Sequence, residues 1–102
     1  MKEKIFSLEE AASWVKDGSL LGFTTPDLAC SPMAFLREIV RQGVKNLRVA
    51  TLPAGGLNVD FLIGAGAVAE YETCACSLGE WGPAPNFQRA LRSNSFKLKD
   101  NT

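Results

Sequence analysis

The feature that most constrains this chain is a regular alternation between amphipathic helical segments and short apolar runs. The helical segments carry apolar residues three and four positions apart, while the runs between them have the length and composition of strands. Repeated along the chain, this α-β order places parallel strands side by side, with helices as the crossover connections. We therefore expect an α/β fold, a mostly parallel open sheet with flanking helices, formed by residues 1–102 as one domain.

Local signals set the expected limits of each element. Ser7 begins a capping box with Glu10, and Gly18 is the expected left-handed stop after that helix. Ser31 is the expected cap of the second helix, with Pro32 at its first helical position. Four helices are predicted, from Ser7 through Val15, from Ser31 to Gly43, through Phe61, Leu62 and Ala65, and from Pro85 to Ser93. The predicted strands are 19–23, 47–51, 68–77 and 96–99. A turn is predicted at 53–56.

Composition excludes several classes of function. The sequence contains no histidine, which rules out Ser-His and Cys-His catalysis and histidine-ligated metals within the chain. Its 11 basic residues balance 11 acidic ones, so no overall field draws it to nucleic acid or to an anionic membrane. No apolar run approaches the ~18 residues of a membrane span. We expect neither a nucleic-acid partner nor a membrane partner.

Charge is uneven along the sequence. Residues 51–88 carry four acidic groups and no basic one, a net charge of −4, whereas residues 89–102 carry a net charge of +3. The sparse charge of the middle segment indicates a buried, loop-rich region, and the basic end suits a solvated helix face and an exposed last strand. A sheet of four short strands also leaves edges that need pairing from more chain or from another subunit.

Three cysteines, an odd number, argue against a disulfide framework, and no apolar signal segment follows Met1. We expect a cytoplasmic protein with reduced thiols. Cys74 and Cys76 have the spacing of two side chains on one face of a strand. A metal site would need two further donors, and Cys30 is the only other thiol. Buried small hydrophobic residues are favoured, and no metal site is predicted.

Ligands of open parallel sheets bind beyond the carboxyl ends of the strands, so the loops 24–31, 52–58 and 78–86 are the candidate site. Gly55 and Gly56 let the backbone approach a ligand beside a helix N-terminus, although a tight turn with positive φ is the alternative. Glu80 would act as a general base if buried, because desolvation raises the pKa of a carboxyl group. A solvated loop residue is the alternative. Trp14 and Trp81 are expected to be packing residues.

Five blocks in order carry a resemblance to a known family. They are Ser7-Leu8-Glu9-Glu10-Ala11 with Asp17-Gly18, Ser31-Pro32-Met33-Ala34, and the segments 41–47, 55–66 and 82–90. Together they resemble the α subunit of family I CoA-transferases, and the second half is most similar to the glutaconate CoA-transferase A-subunit branch. The similarity extends over nearly all of the 102 residues.

The resemblance implies a CoA-transferase-like fold and a shared active site. Members of this family move coenzyme A between carboxylic acids through a glutamyl thioester on the enzyme. That glutamate lies in the β subunit, in a Ser-Glu-Asn-Gly type motif, which does not occur here. The resemblance therefore implies no catalytic residue in this chain, a hetero-oligomer with a β subunit, acyl-CoA and carboxylic acid substrates, and a coenzyme A thioester as substrate with no permanently bound cofactor.

One departure from the family signature bears on the pocket. Asp17, Gly18 and Pro32 match it, but its Gly-Gly-Phe falls on Thr24-Thr25-Pro26 and its later glycine on Cys30. The hydroxyls of Thr24 and Thr25 either bind a substrate carboxylate or cap local backbone. The candidate residues of the substrate and CoA pocket are thus Thr24, Thr25, Gly55, Gly56 and Glu80.

The second departure is length. The α subunits of the family are more than twice as long, and the match ends near Lys97. We expect the N-terminal portion of an α subunit, present as a fragment, a truncated product or one piece of a split subunit. Two alternatives stay open, namely the α subunit of an acyl-CoA ring-opening hydrolase of the same fold, or a non-catalytic assembly or CoA-binding module.

Overall fold

The computed structural model of this chain describes residues 5–23, 31–51, 54–73 and 75–100. Helices and strands alternate as the sequence predicts. The elements are α1 (Leu8–Ala12), β1 (Leu20–Phe23), α2 (Met33–Arg41), β2 (Leu47–Thr51), β3 (Ala54–Gly55), α3 (Leu57–Gly64), β4 (Val68–Thr73), β5 (Ala75–Cys76), a 3₁₀ turn (Gly79–Trp81), α4 (Pro85–Ser93) and β6 (Lys97–Asp100).

Four strands form the main sheet in the order β1-β2-β4-β6, and every neighbouring pair is parallel. The short strands β3 and β5 form a second parallel pair. Each main-sheet strand reaches the next through a helical crossover, which the parallel direction requires. The predicted mostly parallel α/β fold is confirmed.

The helices form one layer, because α1 contacts α2, α2 contacts α3 and α3 contacts α4. The sheet residues that face this layer, such as Leu47, Val49 and Tyr71, are fully buried. On the opposite face, Arg48 of β2 lies beside Glu70 of β4, and Glu70 lies beside Lys97 of β6, so the three form one row across the sheet. A parallel sheet normally has both faces covered. Within the described residues, only one face has a helical layer.

β1 differs from the buried strand that its apolar sequence predicts. Leu20 is 61% exposed, and the four residues of β1 alternate between exposed and half-buried. The reason is position, because β1 is an edge strand that pairs with β2 alone among the described elements. Leu20 also lies in the row of Arg48, on the face without helices.

Helix α1 begins as predicted but ends early. The Ser7 side chain accepts a hydrogen bond of 3.1 Å from the backbone N–H of Glu10. The last helical residue is Ala12, not Val15. Ser13 follows it, and its hydroxyl donates a 2.6 Å hydrogen bond to the carbonyl of Glu10. Such back-bonding by serine competes with helix continuation.

Helix α2 starts later than its cap signal predicts. Pro32 is the N-cap, since its carbonyl accepts the bond from the Leu36 N–H at 3.0 Å and its ψ of 62° is not helical. The predicted cap Ser31 does not cap the helix. Within the described part of the chain, its hydroxyl oxygen is buried without a hydrogen-bond partner. The end is as predicted, because Gly43 has the left-handed φ of +79°.

The predicted strand 68–77 is two strands in two sheets. β4 ends at Thr73 and pairs with β2 and β6, whereas β5 pairs with β3. The side chain of Thr73 makes this break, because its hydroxyl donates to the Ala75 carbonyl at 2.7 Å and accepts from the Ala75 N–H at 3.1 Å. Cys74 lies outside the described residues, while Cys76 is buried as predicted.

A buried carboxylate from α3 caps helix α4. The N-cap residue Ala84 has no side chain that can accept a hydrogen bond. Asp60, only 4% exposed, accepts instead from the Phe87 N–H at 2.7 Å and from the Asn86 side-chain amide at 3.2 Å. The negative charge also lies at the positive end of the helix dipole. Helices α3 and α4 are therefore joined by a capping interaction between residues far apart in sequence.

We expect Asp60→Ala to lower the free energy of unfolding by about 1–3 kcal/mol, because it leaves the buried Phe87 N–H without its acceptor. The Asn86 amide keeps the backbone carbonyl of residue 60, 3.3 Å away. Urea denaturation followed by circular dichroism measures this. Asp17→Ala is the matched control, since Asp17 also accepts from one backbone N–H, that of Lys45 at 2.9 Å, but on the surface. Equal losses in the two variants would contradict the capping role.

Candidate functional site

A chain of hydroxyls lies at the carboxyl ends of β2 and β4, with Tyr71 and Thr73 buried and Thr51 half-buried between them. The Tyr71 hydroxyl is 2.9 Å from Thr51 Oγ1, Thr51 Oγ1 donates to Thr73 Oγ1 at 3.0 Å, and Thr73 donates to the Ala75 carbonyl. Each hydroxyl has a single proton. Since Thr51 gives its proton to Thr73, Tyr71 must be the donor to Thr51. The result is a chain of hydrogen bonds, called the relay below, that runs in one direction from Tyr71 to the backbone of β5.

Gly55 packs against Tyr71, the residue at which this relay begins. A side chain at this position would collide with the Tyr71 hydroxyl, and its Cβ would also lie 3.3 Å from Val59 Cγ2. Gly55 lies in strand β3, and its φ is not positive, so the expected turn at 53–56 is wrong for the described residues. The physical reason for glycine here is the close approach of the Tyr71 ring. That ring is held edge-on against Phe87, with centroids 5.9 Å apart.

Gly56 precedes helix α3, and the backbone N–H groups at this helix start already have hydrogen-bond acceptors. Asn58 Oδ1 accepts from the Gly56 N–H at 3.3 Å and from the Val59 N–H at 2.7 Å. Asn58 is fully buried. Two of the backbone donors that an anion would use at this helix start therefore point at a protein side chain. Gly55 and Gly56 stay predicted pocket residues.

Burial makes the two titratable groups of this region hard to ionise. Burial raises the pKa of Tyr71 to about 12, against the opposing effect of its hydrogen bonds with Thr51 and Thr73. Burial also raises the pKa of Cys76 to about 12, with a smaller rise from the charge of Asp60, while a hydrogen bond with Tyr71 opposes it. Cys76 is thus a thiol at neutral pH, which is not a nucleophile.

The loop after β5 presents Glu80 and Trp81 to solvent. Trp81 is 71% exposed, so its predicted role as a packing residue is wrong for the described part of the chain. Trp14 is 59% exposed, but its ring packs edge-on against Phe6 with centroids 4.8 Å apart. Glu80 is also exposed. The burial that a general base needs is therefore not provided by the described residues.

The predicted site residues come together only in part. Gly55 pairs with Cys76 in the small sheet, and the Gly55 carbonyl accepts from the Ser77 N–H at 3.0 Å, which connects Gly55 directly to the start of the Glu80 loop. Thr24 and Thr25 lie outside the described residues. Sequence patterns did not single out Thr51, Tyr71 and Thr73, the residues that hold this edge together, because they resemble ordinary strand residues.

A cavity of about 250 Å³ lies at the other end of the sheet, between the end of α3, helix α4 and the residues before β6. Its polar lining comes from Asn86, Arg89, Ser93 and Ser95. Its place at the amino ends of the strands is not where ligands of open parallel sheets bind.

The described residues contain no cluster of acidic and thiol side chains able to hold a metal ion. Nor does any described helix have the length and apolar character needed to cross a membrane.

Comparison with known proteins supports the fold. A solved cysteine-to-serine variant of the decarboxylase AibA/AibB superposes on this chain with a TM-score of 0.83 and 29% sequence identity. The match covers 95% of this chain and 38% of the solved chain, so this chain spans well under half of that length. No protein-family model and no curated protein matches the sequence. The CoA-transferase-like fold implied by the resemblance is confirmed.

We expect Gly55→Ala to destabilise the protein by about 1–3 kcal/mol, because the added methyl group overpacks the Tyr71 ring. Tyr71→Phe in the same chain should recover part of the loss, since it removes the hydroxyl that collides with the new methyl group. Unfolding free energies of the two single variants and the double variant form a cycle that isolates this contact. If the losses of unfolding free energy in the two single variants simply add up in the double variant, the cost of a side chain at position 55 does not come from the Tyr71 hydroxyl.

Stability should also fall at alkaline pH. Tyr71 and Cys76 ionise at higher pH in the folded chain, about 12, than their ordinary values of 10.0 and 9.0. The unfolded chain therefore loses these protons first, and the unfolding free energy, level below about pH 9, declines as the pH rises toward 12. Urea denaturation at a series of pH values between about 9 and 12 measures this decline of the unfolding free energy. Cys76→Ala should flatten the first part of the decline, and an unchanged curve would contradict this assignment.

Proposed function

We propose that this chain is part of the α-type subunit of a two-component enzyme of the CoA-transferase type, which acts on acyl-CoA thioesters together with a β-type subunit. The observation that carries the proposal is the match to the decarboxylase AibA/AibB over 95% of this chain. The five sequence blocks, which resemble CoA-transferase α subunits in order and spacing, support it independently.

The chemistry of the described residues agrees with a supporting role. The sequence has no histidine to activate a nucleophile, and the described thiol, Cys76, is buried with a raised pKa. Exposed Glu80 has no base or acid partner among the hydrogen bonds and ion pairs of the described residues. In this proposal the attacking group comes from the β-type subunit. This chain forms one wall of the pocket with Thr24, Thr25, Gly55, Gly56 and Glu80.

Two reaction classes are favoured by specific observations, and hydrolysis is tested beside them. The sequence blocks favour transfer of coenzyme A between carboxylic acids, in which a carboxylate of the β-type subunit displaces coenzyme A and holds the acyl group as an anhydride before the glutamyl thioester forms. The structural match favours decarboxylation, since AibA/AibB is a decarboxylase. In both cases a coenzyme A thioester is substrate, not a permanently bound cofactor.

The test mixes this chain with a β-type subunit from the same genome and supplies a dicarboxylic acyl-CoA together with acetate. Acetyl-CoA together with the free dicarboxylic acid indicates transfer, carbon dioxide with an intact thioester indicates decarboxylation, and free acid with free coenzyme A but no acetyl-CoA indicates thioester hydrolysis. A cyclic acyl-CoA supplied in a separate reaction tests ring-opening hydrolysis. We expect one of these activities from the mixture and none above background from either chain alone. Enzymatic turnover by this chain alone, or no complex and no product from the mixture, would contradict the proposal.

Borohydride distinguishes the mechanisms further. Because it reduces a glutamyl thioester, borohydride should inactivate the complex permanently only when acyl-CoA is present, if the reaction is transfer. The same treatment without acyl-CoA is the control. Retained activity after treatment with acyl-CoA would favour decarboxylation or hydrolysis.

A further inference from the structure

The cavity of about 250 Å³ between the end of α3, helix α4 and the residues before β6, called the α3–α4 cavity below, has the lining of a ligand site. We propose that it binds a small organic carboxylate, whose negative group meets the guanidinium of Arg89 and whose carbon chain covers an apolar wall. The inference goes beyond the proposed function, which names no ligand for the amino ends of the strands.

The lining of the α3–α4 cavity is positively charged. Among the described residues that form it, Arg89 is the only charged one. In the described part of the chain no carboxylate lies within ion-pair distance of Arg89, whereas Arg41, for comparison, has Glu38 at 2.6 Å. Hydrogen bonds between charged groups are about twice as strong as neutral ones. An unpaired guanidinium in a recess without acids therefore favours an anionic ligand.

A hydrogen-bond network that starts from a buried carboxylate holds this guanidinium. Asn86 Nδ2 donates to Asp60 Oδ2 at 3.2 Å, and Arg89 Nη1 donates to Asn86 Oδ1 at 2.9 Å. Gly64 leaves the room that Asn86 needs, because a side chain at position 64 would collide with its amide. A guanidinium has several N–H donors, and Asn86 accepts from one. The other donors can form the two parallel bonds that bind a carboxylate.

The remaining wall favours a ligand with a carbon chain. Its apolar side chains are those of Ile63, Val68, Ala90 and Phe96. The hydroxyls of Ser93 and Ser95 hydrogen-bond to each other, so they add polar groups to the lining but no charge. An inorganic anion would leave the apolar wall in contact with water, whereas a carbon chain covers it.

The volume limits the size of this ligand. A water molecule takes about 30 Å³ in the liquid, so the cavity of about 250 Å³ has room for roughly eight waters, or for an organic molecule of roughly six to ten non-hydrogen atoms. Drug-sized ligands occupy sites of about 300 Å³ or more, and coenzyme A is larger still. The ligand class is therefore a monocarboxylate with a short carbon chain.

Two helix ends beside the cavity oppose an anion, but only weakly. α3 and α4 both end there, and the C-terminal end of a helix carries about half a negative charge. Carbonyls of both last turns already accept backbone bonds, since the Ala67 N–H donates to Leu62 at 3.1 Å and the Ser95 N–H donates to Ala90 at 3.0 Å. The full charge of Arg89 therefore decides the sign of the ligand.

The experiment titrates the full, isotopically labelled chain with butyrate and follows its backbone amides by NMR. Butyrate should shift the signals of Gly64, Gly66 and Ser95 in a saturable way. Butan-1-ol, which has the chain without the charge, and inorganic phosphate, which has charge without the chain, should each bind at least about 10-fold more weakly. Equal binding of either compound would overturn the proposal, as would no saturable shift with butyrate or shifts confined to Thr51 and Gly55.

Substitutions then test the role of the guanidinium. Arg89→Gln should weaken butyrate binding about 10-fold or more, the effect of losing hydrogen bonds between charged groups, and Arg89→Lys should weaken it less. Arg92→Gln is the matched control, because Arg92 is an exposed arginine of the same helix that does not line the cavity, and it should change binding less than about 2-fold.

The amide spectrum shows that each variant folds. Equal losses of butyrate affinity in Arg89→Gln and Arg92→Gln, or no loss in Arg89→Gln, would contradict the assignment of Arg89. Because the titration needs no β-type subunit, its failure leaves the proposed function standing, and failure of the activity test leaves the α3–α4 cavity assignment standing.

Discussion

The relay from Tyr71 through Thr51 and Thr73 to the backbone of β5 fixes the carboxyl edge of this fold. Hydroxyls withdrawn from water, as those of Tyr71 and Thr73 are, are costly unless they are paired, and here each hydroxyl donates its single proton to the next group in the chain. The pairing is possible only if β2 and β4 end side by side and the chain then bends at Thr73. The same bonds that satisfy the buried hydroxyls therefore direct the chain out of the main sheet and into the small one.

This constraint sets where the candidate site residues lie. Because Tyr71 fills the space above Gly55, the backbone of β3 lies directly against the relay, and β3 in turn pairs with β5. The Ser77 N–H bond to the Gly55 carbonyl continues the connection to the Glu80 loop. Residues separated by more than twenty positions in sequence are thus held in one rigid edge, the place where parallel sheets bind ligands.

Much of the fold was predictable from local signals, and the edge was not. Helix α4 has its predicted limits because Pro85 suits the first turn and Asn94, with φ of +58°, ends it. By contrast, the strand 68–77 looks continuous in sequence, since no glycine or proline interrupts it. The break comes from a side-chain bond of Thr73, and the need for glycine at position 55 comes from the distant residue Tyr71. Such contacts leave no periodic signal in the sequence.

The polar face of the sheet indicates where a partner is least expected. Across that face Arg48, Glu70 and Lys97 occupy paired positions, and Lys99 Nζ lies 3.5 Å from Glu70 Oε1. Ion pairs exposed in this way contribute little stability, but an apolar helix placed over them would have to desolvate every charge. An apolar contact is less costly at the carboxyl edge, where Trp81 is 71% exposed. Of these two surfaces, the open face of the sheet is therefore the less favourable one for an apolar partner.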